Sequence, residues 1–148
     1  MARYLLSALV ALALVAAGTA SATSPAPVTF SNTTTLPPGP SVYDPFTSTG
    51  NVVCATGSVS TRFELFGGWQ SGFKSQLLVG KHFVCSDGTF DVLLRVTLDF
   101  ATGSTTGTWS VVSGTAAYEK LHGEGRITGE RSSPSSIDDE YEGSMHID

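Results

Sequence analysis

The sequence is poor in basic residues and contains no cluster of them. Its 148 residues include 8 Lys and Arg against 13 Asp and Glu, which gives a formal net charge of −5. Nucleic-acid-binding proteins need clustered Lys and Arg to displace counterions from phosphates, and anionic membrane surfaces attract the same residues. The composition therefore excludes nucleic acids and anionic membrane surfaces as partners.

Sequence motifs for catalysis or cofactor binding are absent as well. The chain has neither a Gly-x-Ser-x-Gly nucleophile turn nor a phosphate-binding P-loop. His82, His122 and His146 stand at no metal-ligand spacing, so each is interpreted as a surface or strand-edge residue. The acidic run Asp138-Asp139-Glu140 lacks the turn glycine and the alternating ligands of a calcium loop, and is interpreted as a solvated loop. We therefore predict no cofactor and no metal site.

Long apolar runs are missing except at the N-terminus. Residues 4–17 carry no charge and follow one basic residue, Arg3, and Ala20-Ser21-Ala22 offers the small residues that a signal peptidase needs. The run is shorter than the roughly 20 residues of a membrane span, and no basic stop follows it. Residues 1–22 are therefore predicted to be a signal peptide, which predicts a secreted, extracellular protein without an integral membrane segment. Cleavage leaves 126 residues, the size of one domain.

Cysteine is scarce, with Cys54 and Cys85 as the two thiols of the chain. In exported proteins thiols normally pair, whereas a catalytic thiol is usually a lone cysteine beside a cationic partner. We predict a structural Cys54–Cys85 disulfide. The loop it closes, about 31 residues, corresponds to a stabilisation of roughly 3–4 kcal/mol in the chain-entropy model.

Two regions of different character follow the signal peptide. Residues 23–44 are rich in Pro, Ser and Thr, and prolines remove backbone donors, so this segment is predicted to be a disordered leader, or an edge strand at most around residues 28–30. From residue 51 onward apolar and polar residues alternate, and no ten-residue stretch shows a helical apolar stripe. About eight short strands at spacings near ten residues predict an all-β fold, an antiparallel barrel or a sandwich, formed by residues 45–148.

Residues 109–125 carry the most specific pattern of the chain. Residues 113–125 read SGTAAYEKLHGEG. This segment resembles the Gly-Gly-Thr-Gly-x-Tyr-x-x-Leu-x-Gly-x-Gly pattern of small exported actinobacterial proteins of undefined role. Those proteins are grouped with the allene oxide cyclase-like barrels, which are similar to plant dirigent proteins. A cysteine before an Asp-Gly pair, in residues 85–90, resembles the same group.

The resemblance implies a single antiparallel barrel of eight strands with a pocket at one end. No catalytic residue of those enzymes matches a position here, so it implies no activity. Ser113 and Ala116 stand where the group has glycine, so we expect the backbone there to avoid positive φ. Tyr118, on a short helical turn, is predicted to plug one barrel end with a solvated hydroxyl. The glycines on either side of Glu124 are predicted to mark a bulge or barrel corner.

The two faces of the strand at residues 89–100 decide where candidate polar groups lie. Its even-numbered residues are apolar, and burying that face is favourable by about 25 cal/mol per Å². We therefore expect Asp91, Arg95 and Asp99 to lie outside the barrel; if the lumen were polar instead, they would be pocket groups. The candidate ligand-binding residues are Arg95, Asp99, Tyr118 and Glu124.

The expected function is binding of a small apolar ligand, or of a protein partner, without catalysis. Alternatives are a cyclase- or isomerase-like enzyme, as the resemblance allows, and an envelope-associated structural or interaction protein. A cavity of a few hundred Å³ that contains buried Arg, Asp or Glu would favour an enzyme. A dry apolar cavity would favour a binding protein. An exposed apolar patch without a cavity would favour an interaction role. The predicted apolar walls are aromatic: Phe63, Phe66, Trp69, Phe73, Phe83 and Phe90.

Overall fold

The computed structural model describes residues 23–69 and 72–148. Eight strands and one 3₁₀ turn follow one another along the chain. The strands are β1 (Ala26–Thr35), β2 (Asp44–Thr49), β3 (Thr56–Trp69), β4 (Lys74–Cys85), β5 (Gly88–Asp99), β6 (Ser104–Gly114), β7 (Leu121–Ser133) and β8 (Ser136–Ile147), and the turn, Ala116–Tyr118, lies between β6 and β7. The predicted all-β fold is confirmed. The predicted signal peptide lies outside the described residues.

The strands form one closed antiparallel barrel in sequence order, with β1 paired to β8. Odd-numbered strands therefore run one way and even-numbered strands the other. One end of the barrel, here called the disulfide end, holds the Cys54–Cys85 bridge and the 3₁₀ turn. The other end, here called the mouth, holds the β3–β4, β5–β6 and β7–β8 connections.

The prediction of a disordered leader over residues 23–44, with an edge strand at most around residues 28–30, is wrong for residues 26–35. Strand β1 covers Ala26–Thr35 and pairs with β8 over its whole length. Val28 and Phe30 point into the core, where they are 1% and 2% exposed. Threonine is a good strand former, and the prolines at 37, 38 and 40 lie beyond the strand end. The barrel therefore begins at β1, well before residue 45.

The core fills the half of the barrel nearest the disulfide end. Phe83 and Phe90 stack in parallel with ring centroids 4.8 Å apart, and Phe30 contacts both rings. Each fully buried aromatic or aliphatic side chain contributes about 1.5–3 kcal/mol. The buried apolar set is completed by Phe46, Val59, Val92, Leu94, Trp109, Tyr118, Leu121, Ile127, Tyr141 and Met145, with several further valines.

Trp109 accounts for one glycine of the sequence motif, Gly125, and for Gly143 on the neighbouring strand. Its indole lies against β7 and β8, and a Cβ at Gly125 would be 2.7 Å from the indole nitrogen. A Cβ at Gly143, across the strand pair, would be 2.6 Å from Cζ2 of the same ring. Pairing of β7 with β8 is regular through this region. Of the bulge or barrel corner predicted at Gly123 and Gly125, the bulge is therefore wrong. These glycines leave room for core side chains, Met145 at Gly123 and Trp109 at Gly125.

The 3₁₀ turn closes the disulfide end as predicted, with two differences in detail. Tyr118 is 2% exposed and plugs the end. Its hydroxyl is not solvated: it accepts from the Cys54 backbone N–H at 3.0 Å and donates to Asp87 Oδ1 at 2.8 Å. Ala116 adopts φ +52° although positive φ was not expected there, because the chain must reverse to bring Tyr118 over the core.

The predicted disulfide is confirmed. Cys54 and Cys85 are bonded with Cα atoms 5.9 Å apart, which joins the segment before β3 to the end of β4. Tyr118 binds the backbone of Cys54, so the bridge and the plug form one structural unit. No helix within residues 23–69 and 72–148 is long and apolar enough to cross a membrane.

Candidate functional site

A cavity of about 240 Å³ occupies the half of the barrel nearest the mouth. Its walls are mostly apolar and come from the inward faces of β4, β5, β7 and β8. Phe83 and Tyr141, which belong to the core, do not line it, so the cavity ends above them. The apolar lining residues are Leu36, Leu77, Val79, Leu94, Val96, Leu98, Phe100, Ile127 and Ile137.

The inner end of the cavity is charged. Lys81 and Asp139 both line it, and each lies two residues before a core aromatic on the same strand. Their side chains are 6% and 9% exposed, and Nζ of Lys81 is 3.7 Å from Oδ2 of Asp139. Strands β4 and β8 are four positions apart around the barrel. The ion pair therefore crosses the lumen and forms a polar floor on top of the aromatic core.

Thr34 ties this pair to β1. Its hydroxyl donates to Asp139 Oδ2 at 2.6 Å and accepts from Lys81 Nζ at 2.8 Å and from Asn32 Nδ2 at 2.9 Å. A hydroxyl has one proton and two lone pairs, so its capacity is used completely. Gly129 faces Asp139, and a Cβ there would be 2.7 Å from Asp139 Oδ1. The strands around the floor thus position the carboxylate.

Burial perturbs the ionisation of each group at the floor. Desolvation lowers the pKa of Lys81, although the nearby Asp139 opposes the shift. Desolvation raises the pKa of Asp139, against the influence of Lys81 and of the Thr34 hydroxyl. Glu64 lines the cavity nearer the mouth; its residue is exposed overall, yet partial desolvation raises the pKa of its carboxyl. The floor therefore holds an ion pair in which each group offsets part of the desolvation of the other.

Sequence reasoning missed both floor residues. Asp139 was part of a predicted solvated loop, which is wrong, because the acidic run lies in β8 and Asp139 is buried. The signal was present in the sequence: Asp139 alternates in step with the apolar Tyr141 and Met145 of the same strand, which are buried. Lys81 likewise lies on the same face of β4 as Val79 and Phe83. Because successive side chains of a strand point to opposite faces, this spacing places both charged side chains inside the barrel.

The aromatic side chains predicted as cavity walls have a different role. Phe83 and Phe90 belong to the core. Phe66 and Trp69 are exposed at the mouth, where Trp69 lies 5.6 Å from Phe66 and 5.2 Å from Phe100 between ring centroids. Because Phe100 also lines the cavity, this aromatic group borders the opening. Phe63 and Phe73 are likewise exposed at the surface.

None of the four predicted ligand-binding residues lines this cavity. Arg95 and Glu124 lie together beside a shallow depression on the outer surface. Asp99 forms an ion pair with Lys74 at 3.6 Å near the mouth, and Tyr118 closes the opposite end. The outward orientation expected for Asp91, Arg95 and Asp99 is the one observed, since Leu94 and Val96 of the same strand point inward.

The histidines lie on the outer face. His82 is hydrogen-bonded to Asp91 at 2.7 Å. His122 and His146 are cross-strand partners whose rings stack 5.3 Å apart, and both approach Asp148. Among the residues that the structure describes, no group of three or more His, Cys, Asp or Glu side chains is arranged to hold a metal ion.

Comparison with known proteins adds no relative. No protein-family model matches the chain, and neither curated proteins nor solved structures give a significant match. The resemblance of residues 113–125 to the allene oxide cyclase-like group stays a prediction. The cavity is the feature of the molecule that bears on function.

Proposed function

We propose that this protein is a secreted binding protein that takes a small, largely apolar ligand into the barrel cavity without catalysis. The observation that carries the proposal is the 240 Å³ cavity with apolar walls, open at the mouth and closed at the disulfide end. A cavity of about 150 Å³ binds benzene, so this one suits a ligand of roughly nine or ten non-hydrogen atoms. The disulfide supports the extracellular location.

Binding of propylbenzene, which has nine carbons, tests the proposal. At about 0.4–0.7 kcal/mol per non-hydrogen atom, the expected Kd lies between roughly 20 µM and 2 mM. Trp69 contacts Phe100, which lines the cavity, so its emission should change on binding. Trp109 is buried in the core and supplies a constant background.

A matched pair of substitutions locates the site. Val96 lines the cavity and is 6% exposed, whereas Val112 is 57% exposed on β6. Val96→Phe should fill the cavity and weaken propylbenzene binding at least tenfold, while Val112→Phe should leave it unchanged. Equal affinity in both variants, or no binding by the unaltered protein, would refute the proposal.

The Lys81–Asp139 pair supports a second candidate, a catalyst of proton transfer such as an isomerase. Both groups are buried in the cavity and have shifted pKa values, which is typical of acid–base sites. Binding is favoured over catalysis because each charge is already engaged by the other and by Thr34. Native mass spectrometry of protein purified from its secretion medium separates the two: a co-purifying unchanged molecule supports binding, whereas turnover of that molecule supports catalysis.

A further inference from the structure

We propose that the ligand is a neutral amphiphile that enters hydroxyl first, with its hydroxyl hydrogen-bonded to Lys81 and Asp139 and its apolar part filling the cavity towards the mouth. This inference rests on the proposed binding function and specifies the chemical class of the ligand. It follows from unused hydrogen-bonding capacity at the floor, from the local charge balance and from the distribution of polar groups along the cavity.

Lys81 has donors that its neighbours do not use. An ammonium group carries three N–H donors, and the Thr34 hydroxyl accepts one of them at 2.8 Å. Asp139 lies at 3.7 Å, an ion-pair distance beyond that of a good hydrogen bond. Because Lys81 lines the cavity, an oxygen atom at the floor can accept a charge-assisted hydrogen bond from it.

Acceptors are also available at this level. Asp139 accepts from Thr34 through Oδ2, and its carboxylate has lone pairs left over. Asn32 is the cross-strand partner of Asp139 and is 6% exposed. Its Oδ1 has no hydrogen-bond partner among the residues that the structure describes. Asn32 does not line the cavity, so the acceptor that a ligand can reach at this level is the Asp139 carboxylate.

The charge balance selects a neutral group. Lys81 and Asp139 compensate each other at the floor, and Glu64 adds a carboxyl nearer the mouth. A carboxylate ligand would be a second buried anion beside Asp139, while an ammonium ligand would be a second buried cation beside Lys81. Arg131 also lines the cavity, but it is exposed and donates to the Pro134 carbonyl. A hydroxyl can accept from Lys81 and donate to Asp139 without adding charge.

The position of the polar groups at the cavity floor sets the orientation of the ligand. Between the floor and the mouth the walls are formed by Val79, Leu94, Val96 and Leu98. A hydrocarbon chain or ring lying along these side chains is removed from water, which contributes about 0.8 kcal/mol per buried CH₂. The reverse orientation would place the hydrocarbon against two charges and would leave their hydrogen bonds unmade.

Four ligands of nearly equal size test the inference: 2-phenylethanol, propylbenzene, 2-phenylethylammonium and phenylacetate. Calorimetry at pH 7 should show that the alcohol binds the unaltered protein about tenfold more tightly than each of the other three, the change expected for one hydrogen bond to a charged group. Tightest binding of either ion, or equal binding of the alcohol and propylbenzene, would overturn the inference.

A double substitution then assigns the preference to the floor. In Lys81→Met/Asp139→Leu the ion pair is replaced by apolar side chains of similar size, a change that proteins often tolerate. Propylbenzene should now bind more tightly than 2-phenylethanol. The matched control is Lys74→Met/Asp99→Leu, which removes an ion pair on the outer surface and should keep the preference for the alcohol.

The outcomes separate the inference from the binding function. If all four ligands fail to bind, the binding function itself is wrong. If the ligands bind and Val96→Phe weakens them, but the alcohol preference is missing or survives in Lys81→Met/Asp139→Leu, the function stands and the hydroxyl assignment is wrong. The comparison of ligands on the unaltered protein needs no variant, so the inference is testable even if the double variant does not fold.

Discussion

Removing the hydroxyl group of one buried tyrosine should lower the stability of the protein, whereas removing that of another should raise it. Tyr118 and Tyr141 are 2% and 1% exposed. The Tyr118 hydroxyl accepts from the Cys54 N–H and donates to the Asp87 carboxylate. The Tyr141 hydroxyl has no hydrogen-bond partner within the described part of the chain. Substitution by Phe preserves the ring in both cases, so the hydroxyl is the variable.

The expected magnitudes follow from these contacts. Tyr118→Phe removes a hydrogen bond to a charged group, worth about 1.5–3 kcal/mol, and leaves the Cys54 N–H without its acceptor. We expect a loss of about 2–3 kcal/mol in the free energy of unfolding. Tyr141→Phe relieves the desolvation penalty of an unpaired hydroxyl and keeps the ring contacts with Phe30 and Phe83. We expect a gain of about 1–2 kcal/mol.

Equilibrium unfolding in guanidinium chloride, with the disulfide intact, measures both effects. Tyr43 is 56% exposed, so Tyr43→Phe is the control and should change stability by less than about 0.5 kcal/mol. A destabilisation of more than about 1 kcal/mol in Tyr141→Phe would show that its hydroxyl is paired, for instance with a buried water. That result would refute the assignment of an unpaired hydroxyl to Tyr141.

Three further predictions concern the disulfide end. Replacing Cys54 and Cys85 by Ser should lower the free energy of unfolding by about 3–4 kcal/mol, because it restores the entropy of a loop with a 31-residue separation; a urea-measured loss below 1 kcal/mol would contradict this. Burial and Asp87 raise the pKa of Tyr118 to about 12, so between pH 10 and 12 the unfolded chain releases a proton that the folded protein keeps. Stability should therefore fall by up to about 1.4 kcal/mol per pH unit there, and Tyr118→Phe should lack this component. Ala116→Gly should raise the free energy of unfolding by up to about 1 kcal/mol, since Ala116 has φ +52°. Gly114→Ala should lower it by about 1–3 kcal/mol, because the new Cβ would collide with the Tyr118 carbonyl oxygen. Melting temperatures that change in the same direction in both variants, relative to the unaltered protein, would disprove this explanation.

The barrel was predictable because period two is visible wherever a strand has one buried face. Residues 89–100 show it most clearly, and β5 occupies nearly the whole of that segment. Strand β1 was predicted as an edge strand around residues 28–30 at most, because the composition of residues 23–44, averaged over the segment, hides the alternation within its first half. Val28 and Phe30 alternate with Thr29 and Ser31 there. Of the prolines that suggested disorder, Pro25 and Pro27 lie at the start of the strand and the other three follow its end.

The cavity was less accessible to sequence reasoning. Alternation shows that Lys81 and Asp139 point inward, but not that they meet. Their contact depends on the closure of the barrel and on the register of β4 and β8. Alternation also does not distinguish Phe90, which fills the core, from Leu98 on the same face, which lines the cavity. That difference depends on how many large side chains converge at each level, which one strand cannot reveal.

The ion pair at the floor is better explained by binding than by stability. Apolar residues at the same two positions would often give equal or greater stability, and the neighbouring levels of the barrel are apolar. The disulfide and Tyr118 already secure the opposite end. We therefore expect Lys81→Met/Asp139→Leu to change the ligand preference while stability is retained. Tyr118→Phe should do the reverse, because it weakens the fold at the end of the barrel farthest from the cavity.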